Sequence, residues 1–228
     1  MTRMQWLILA LWVAVTLGCS RPAAEEPMRT ERVVVLGSST AAGAGASQPD
    51  SAWVNRYAAY LQMQRPGRAE VINLAVSGYT TYHVLPEAIA RSADRPAADT
   101  AHNLTKALAY KPTAIIVNLP SNDAARGYSV AEITDNFKAL AEAAGSVPLW
   151  IATPQPKNFE PEKRLQQLQI KQFLETTYPG RTINFWTVLA SPDGTIIPAY
   201  DTDGTHVNDD GHEQLFRQVV KAGVVKTQ

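Results

Sequence analysis

Three short segments carry the side chains best suited to chemistry. Gly37-Ser38-Ser39-Thr40 offers hydroxyls in a small-residue turn directly after the apolar run 33–36. Asn122-Asp123 follows a second apolar run, 114–119. Asp203-Gly204-Thr205-His206 sets an acid three residues before a histidine, ahead of the last helical pattern. A serine hydroxyl becomes a competent nucleophile when a base takes its proton. Imidazoles exchange protons near neutral pH. An acid one tight turn away can hold the second ring nitrogen, set the tautomer and stabilise the imidazolium. Together these residue types suit acyl transfer. On residue type alone Ser38 and Ser47 are rival hydroxyls and His212 is a fallback base. Asp203 could equally belong to a capping turn, although Asp209 and Asp210 are better placed for that. His83 and His102 read as surface or packing residues.

These segments need a scaffold that brings them together. The run 33–36 is continuous and β-branched, as in a strand buried on both faces. Further strands are predicted at 71–74, 114–119, 147–152 and 182–186. Helical spacing covers 51–64, 99–110 with Asp99 as N-cap, 130–144, 161–177 and 209–225. In the 161–177 helix, Leu165, Leu168, Ile170 and Phe173 are the expected apolar positions. Alternating strands and helices imply a five-stranded parallel sheet between helical layers, a three-layer α/β/α sandwich. Right-handed crossovers then carry the loops after strands one, two and three to one edge. The connection 78–98 is long and could form a lid or specificity loop. Trp53, Tyr79, Tyr82, Trp186 and Tyr200 lie near that edge, where exposed rings could stack on a sugar or cover an acyl chain. Trp53, at helical spacing, fits the core better.

Composition narrows the classes further. The chain has 228 residues, 45% of them hydrophobic and 18% charged, enough for one good core. Twenty-one basic residues balance 21 acidic ones, so no basic excess points to nucleic acid. No Cys/His cluster has metal-ligand spacing, and the chemistry above needs no metal or cofactor.

The N-terminus reads separately. Arg3 precedes an uncharged apolar run, 6–17, too short to span a bilayer comfortably and suited to a signal-peptide core. Thr16-Leu17-Gly18-Cys19 resembles a bacterial lipobox, with Thr where Leu is usual; Cys19 is the only cysteine. That resemblance implies a signal peptide over 1–18 and lipidation of Cys19. Ser20, by similarity to sorting rules for such proteins, implies the outer membrane. A plain secretory signal is the alternative. Residues 19–30 are polar and aperiodic, a tether ahead of a domain over 31–228.

The ordered blocks Ser39, Gly78, Asn122 and Asp203-x-x-His206 resemble the SGNH (GDSL-type) hydrolase superfamily, and the resemblance covers 33–212. It implies a flavodoxin-like fold and a serine esterase, with Ser39 as nucleophile, His206 as base and Asp203 orienting it. It also implies an oxyanion hole formed by the N–H groups of Ser39 and Gly78 and the Asn122 side-chain amide. The substrate would be a small acyl ester, O-acetyl groups on carbohydrate among the options; lysophospholipase, thioesterase or acyltransferase reactions use the same groups. Two positions depart from the pattern. Ser38 replaces the acid before the nucleophile, so local hydrogen bonding must differ. Pro120 precedes Ser121-Asn122 and should stiffen that loop. A second class is a non-catalytic module, with the small-residue loop 37–46 cradling a phosphate or a degenerate site binding glycan. That loop lacks a lysine and the third glycine of a dinucleotide fingerprint.

Overall fold

A computed structural model describes residues 30–119 and 121–225. The segment expected to be a signal peptide, Cys19 and the loop stiffening expected at Pro120 lie outside the described residues. In chain order the elements are β1 (Glu31–Gly37), α1 (Trp53–Gln64), β2 (Ala69–Asn73), α2 (Thr81–Val84), α3 (Leu104–Ala109) and β3 (Ala114–Asn118). They continue with α4 (Ser121–Ala125), α5 (Val130–Ala144), β4 (Leu149–Ala152), α6 (Pro161–Thr177), β5 (Thr182–Ile183) and α7 (Asp209–Ala222).

All strand pairs are parallel, in the order β2-β1-β3-β4-β5. β1 is flanked on both sides, and its residues 33–37 are buried, as the unbroken apolar run requires. Alternation along the strands sorts the side chains into two layers. Val33, Val35 and Ile116 pack with α1 and α7 through Trp53, Leu61, Leu215 and Val219. Val34, Leu36, Ile115 and Val117 pack with α3, α5 and α6 through Leu104, Phe137, Ile170 and Leu174. The result is a three-layer α/β/α sandwich. Gly37 pairs in register with Asn118, so β1 and β3 end side by side. Past β2, Val76 N–H still reaches the Gly37 carbonyl (3.2 Å), which draws the third loop to the same edge.

Several local expectations change. The helix expected over 99–110 starts at Leu104, capped by Asn103, whose side chain accepts from Lys106 N–H (2.9 Å). Asp99 instead takes the Tyr79 hydroxyl and Ala101 N–H. The cap of α7 is Asn208, accepting from Gly211 N–H (3.1 Å), and not Asp209 or Asp210. Asp209 accepts from the N–H and hydroxyl of Ser47, at 2.7 and 2.5 Å. β5 stops after two residues because the N–H groups of Phe185 and Trp186 turn to Thr153 Oγ1, both at 3.0 Å. On α6, Leu165 and Leu168 are 57% and 41% exposed, while Gln167 is buried beside Ile170 and Leu174. The reason is polar: Gln167 Nε2 donates to the Gln155 carbonyl (3.1 Å) at the sheet edge, which fixes the rotation of the helix. Among the described residues no helix is long and apolar enough to cross a membrane.

Candidate active site

Past Gly37 the chain enters a tight helical turn. Ala42 N–H donates to the Ser38 carbonyl and Ala44 N–H to the Ser39 carbonyl, each at 2.9 Å. Gly37 leaves no room for a side chain, since a Cβ there would lie 2.7 Å from Ala41 Cβ. The turn projects Ser39 toward the loop before α7. His206 Nε2 lies 2.9 Å from Ser39 Oγ, and His206 Nδ1 lies 2.8 Å from Asp203 Oδ2. An ionised carboxylate only accepts, so Nδ1–H donates to Asp203, and Nε2 is left to accept the Ser39 proton. The neighbouring imidazole, which hydrogen-bonds its carboxylate, draws the Asp203 pKa down to about 2, and the N–H groups of His206 and Thr205 add to this.

The loop carrying Asp203 and His206 is braced from several directions. Asp203 Oδ1 accepts the N–H of Thr205 (2.9 Å) and of His206 (2.7 Å). Asp201 Oδ1 accepts from Gly204 N–H at 2.6 Å. Asn158 donates from its side chain to Asp201 Oδ2 (2.7 Å) and from its backbone to the Gly204 carbonyl (2.8 Å). Gln155 Nε2 donates to the Thr205 carbonyl (3.1 Å). The loop after β1 presses on the same segment at Gly45, with φ +93°, where a Cβ would stand 2.1 Å from the Val207 carbonyl oxygen.

Asn122 reaches the segment that follows Gly78. Asn122 is the second residue of α4, and its Nδ2 donates to the Tyr79 carbonyl at 2.9 Å. Gly78 adopts φ +82°. The neighbouring Asp123 is fully buried and accepts from both the N–H (3.0 Å) and the hydroxyl (2.5 Å) of Thr81. Those bonds lock α4 to the 78–84 segment. Arg95 pairs with Glu132 and lies 4.4 Å over the Tyr128 ring, so the connection 78–98 is tied to α5 as well.

The remaining histidines do other work. His212 is buried, accepts from Trp53 N–H (3.3 Å) and reaches the Ala44 carbonyl (3.0 Å). It pins the loop after β1 to α1, and burial lowers its pKa. His83 stacks on Tyr79 with ring centres 4.4 Å apart, and His102 contacts the Leu74 carbonyl. Of the five edge aromatics, Trp53, Tyr82 and Trp186 are buried. They are core residues and not a substrate platform. Among the described residues no group of acids, histidines and cysteines is arranged to hold a metal ion.

The model of the GDSL-like lipase/acylhydrolase family matches residues 35–214, spanning all the blocks above. The chain belongs to that family. It is a hydrolase of ester bonds. The fold of this GDSL-like hydrolase is similar to that of the psychrotrophic esterase EstA from Pseudoalteromonas sp. (TM-score 0.60, 20% identity, covering 84% of this chain and 96% of that one). It is also similar to a lipase/acylhydrolase from Enterococcus faecalis (0.65, 19%, 87% and 99%). A third likeness is to the lipase Lip_vut3 from a goat rumen metagenome (0.68, 15%, 87% and 100%). No curated protein sequence matches.

Sequence reasoning missed part of this GDSL-like site. Lys157 is buried, with Nζ 3.2 Å from Asn122 Oδ1. It lines a small pocket with Ser38, Ser39, Thr40, Asn118, Leu119, Ser121 and Gln155. Gln155 and Gln167 form the polar brace beneath. All three sit in or after stretches with no motif around them. The available signal was weak: a Gln-x-Lys directly after a buried strand, on the sheet edge where the other loops meet.

Proposed function

We propose that the protein hydrolyses small acyl esters through an acyl-enzyme on Ser39. The observation that carries this is the continuous row Ser39 Oγ–His206–Asp203, with links of 2.9 and 2.8 Å. In this reading Oγ attacks the ester carbonyl carbon while His206 Nε2 takes its proton. The carbonyl oxygen becomes an oxyanion, received by the N–H groups of Ser39 and Gly78 and by Asn122 Nδ2. Collapse expels the alcohol, which leaves with the proton from His206. Water, deprotonated by the same imidazole, then releases the acid and regenerates Ser39.

The pocket beside Ser39 supports a short acyl group. Its lining is mostly polar and small, with Leu119 as the apolar exception. A long alkyl chain would find little apolar surface there. O-acetyl groups on carbohydrate are the substrate class that an exported protein of this kind would meet. We take the protein to be a lipoprotein, lipidated at Cys19 and held at the outer membrane by the 19–30 tether. The apolar run 6–17 and the Leu17-Gly18-Cys19 sequence support that reading.

The test is labelling of the 31–228 domain by a fluorophosphonate probe, beside Ser39→Ala, followed by an ester series of increasing acyl length. Labelling of wild type alone, with turnover highest on acetyl esters, is the expected result. A folded wild type that does not label would overturn the nucleophile assignment, and a rate that rises with chain length would overturn the short-acyl assignment.

A further inference from the structure

Lys157 is a charged side chain in the floor of the site that the mechanism above does not use. It is 5% exposed and sits in the loop between β4 and α6. Among the described residues, its ammonium has one acceptor within hydrogen-bond distance, Asn122 Oδ1 at 3.2 Å. A buried ammonium is costly unless it does something there. The chemistry of its single partner indicates what that is.

An asparagine amide carries an acceptor at one end and donors at the other, and the neighbours decide which end points where. Asn122 has an unambiguous neighbour on each side. Lys157 can only donate, so Oδ1 must face it. The Tyr79 carbonyl can only accept, so Nδ2 must face it (2.9 Å). A flipped amide would set two donors together and two acceptors together. One Nδ2 hydrogen is used by Tyr79, and among the described residues the second has no acceptor and is available to a ligand. The positive charge of the ammonium facing Oδ1 also polarises the amide and strengthens its N–H groups as donors.

We propose that Lys157 is a positioning residue for the oxyanion donor: its ammonium holds Asn122 Oδ1 so that Nδ2 is presented, polarised, to the developing oxyanion. This rests on the assignment of Asn122 to the oxyanion hole. Lys157 acts through Asn122 and does not touch the reacting atoms. The charged groups around it are Asp203, from the loop before α7, and Lys163 of α6, which lies against the same Phe159 ring. Burial draws the Lys157 pKa down to about 8, with Asp203 opposing. The position is thus charged at neutral pH and loses its charge within the working range of an esterase.

The test is a double-mutant cycle on a short-chain ester, with wild type, Lys157→Met, Asn122→Ala and the double variant. Methionine matches the lysine stem in length and removes its charge and its hydrogen bond to Asn122. Losing a whole oxyanion donor costs roughly 100- to 1,000-fold in turnover, so losing its alignment should lower kcat about 10- to 100-fold with KM little changed. In the Asn122→Ala background the second substitution should cost less than about twofold, because its target is gone. Equal losses in both backgrounds, or a wild-type kcat in Lys157→Met, would overturn the role of Lys157. An Asn122→Ala enzyme as fast as wild type would instead overturn the oxyanion assignment beneath it. If Lys157→Met does not fold, the wild-type pH profile decides. The reading expects kcat to fall as pH rises through about 8, and a level profile across that range would overturn it.

Discussion

Ser39 Oγ and His206 Nε2 stand 2.9 Å apart although 167 positions separate the two residues in the chain. Nothing local holds them there. The register of β1 against β3, the close contact at Gly45 and the bracing by Asn158 and Gln155 together set that distance.

Ser39→Ala is expected to abolish turnover while leaving the fold intact. The change deletes one oxygen from a turn whose bonds are made by the backbone. In serine enzymes the nucleophile alone accounts for roughly a million-fold in kcat. Ester turnover and thermal unfolding, measured on one preparation, check both halves of the claim.

Asp203→Asn should cost about 10,000-fold in kcat with little change in structure. An asparagine oxygen can still accept the N–H groups of Thr205 and His206. Its amide would face His206 Nδ1 as a donor, forcing the proton to Nε2, where it blocks transfer from Ser39. The Asp203 pKa is about 2, so the carboxylate stays ionised through mildly acidic pH, and any activity lost between pH ~7 and ~4 belongs to another group. Its contribution to stability has a matching sign. A depressed acid stabilises the fold above its unfolded pKa of ~3.9, and that contribution fades as pH falls toward 2.

Asp123→Asn should flatten a pH dependence of stability. Burial raises the Asp123 pKa to about 7, against the opposing bonds from Thr81. Unfolded, the same carboxyl titrates near ~3.9. Between these values the folded state keeps a proton that the unfolded state has lost. Stability from this group therefore falls as pH rises from ~4 to about 7 and is level beyond. The melting temperature of the variant, minus that of wild type, should increase from pH ~4.5 to ~8. Parallel curves would remove Asp123 as the cause.

Gly45→Ala should damage both stability and activity. The residue has φ +93°, and its new methyl would meet the Val207 carbonyl at 2.1 Å and His206 Cβ at 3.2 Å. A positive φ alone costs about 1–2 kcal/mol for a non-glycine residue. Gly67→Ala is the control, with φ +69° and nothing within 4 Å of the added carbon. Both variants should melt earlier than wild type, Gly45→Ala by more, and only Gly45→Ala should lose turnover at a temperature where it is folded.

Cys19→Ala, in the full-length chain, should move the protein from the membrane fraction to the soluble exported fraction. Fractionation with an antibody to the domain reads the outcome. Persistence in the membrane would overturn the lipid-anchor reading.

The order of elements was legible because each strand is a short apolar run and each helix an apolar stripe. Those are local patterns set by burial on one face or two. Ends were less legible. Asn103 and Asn208 took the caps expected of Asp99, Asp209 and Asp210, because capping depends on which side chain meets the free N–H groups and which is drawn elsewhere. Asp209 was drawn to Ser47 and Asp99 to Tyr79. The outward turn of Leu165 and Leu168 was hidden for a similar reason. Gln167 claims the inward face through a bond to the Gln155 carbonyl, a partner on another element.

The sequence by itself determined which groups were available and in what order: a serine after the first strand, an asparagine after the third, an acid and a histidine one turn apart. The Asp203–His206 bond follows almost from that spacing. Only the tertiary structure decided that Ser39 faces His206, that His212 is committed to Ala44 and Trp53, and that Lys157 grips Asn122. Each is a contact between loops far apart in the chain. Their distances are set by strand register and helix packing, and no local pattern of residues encodes them.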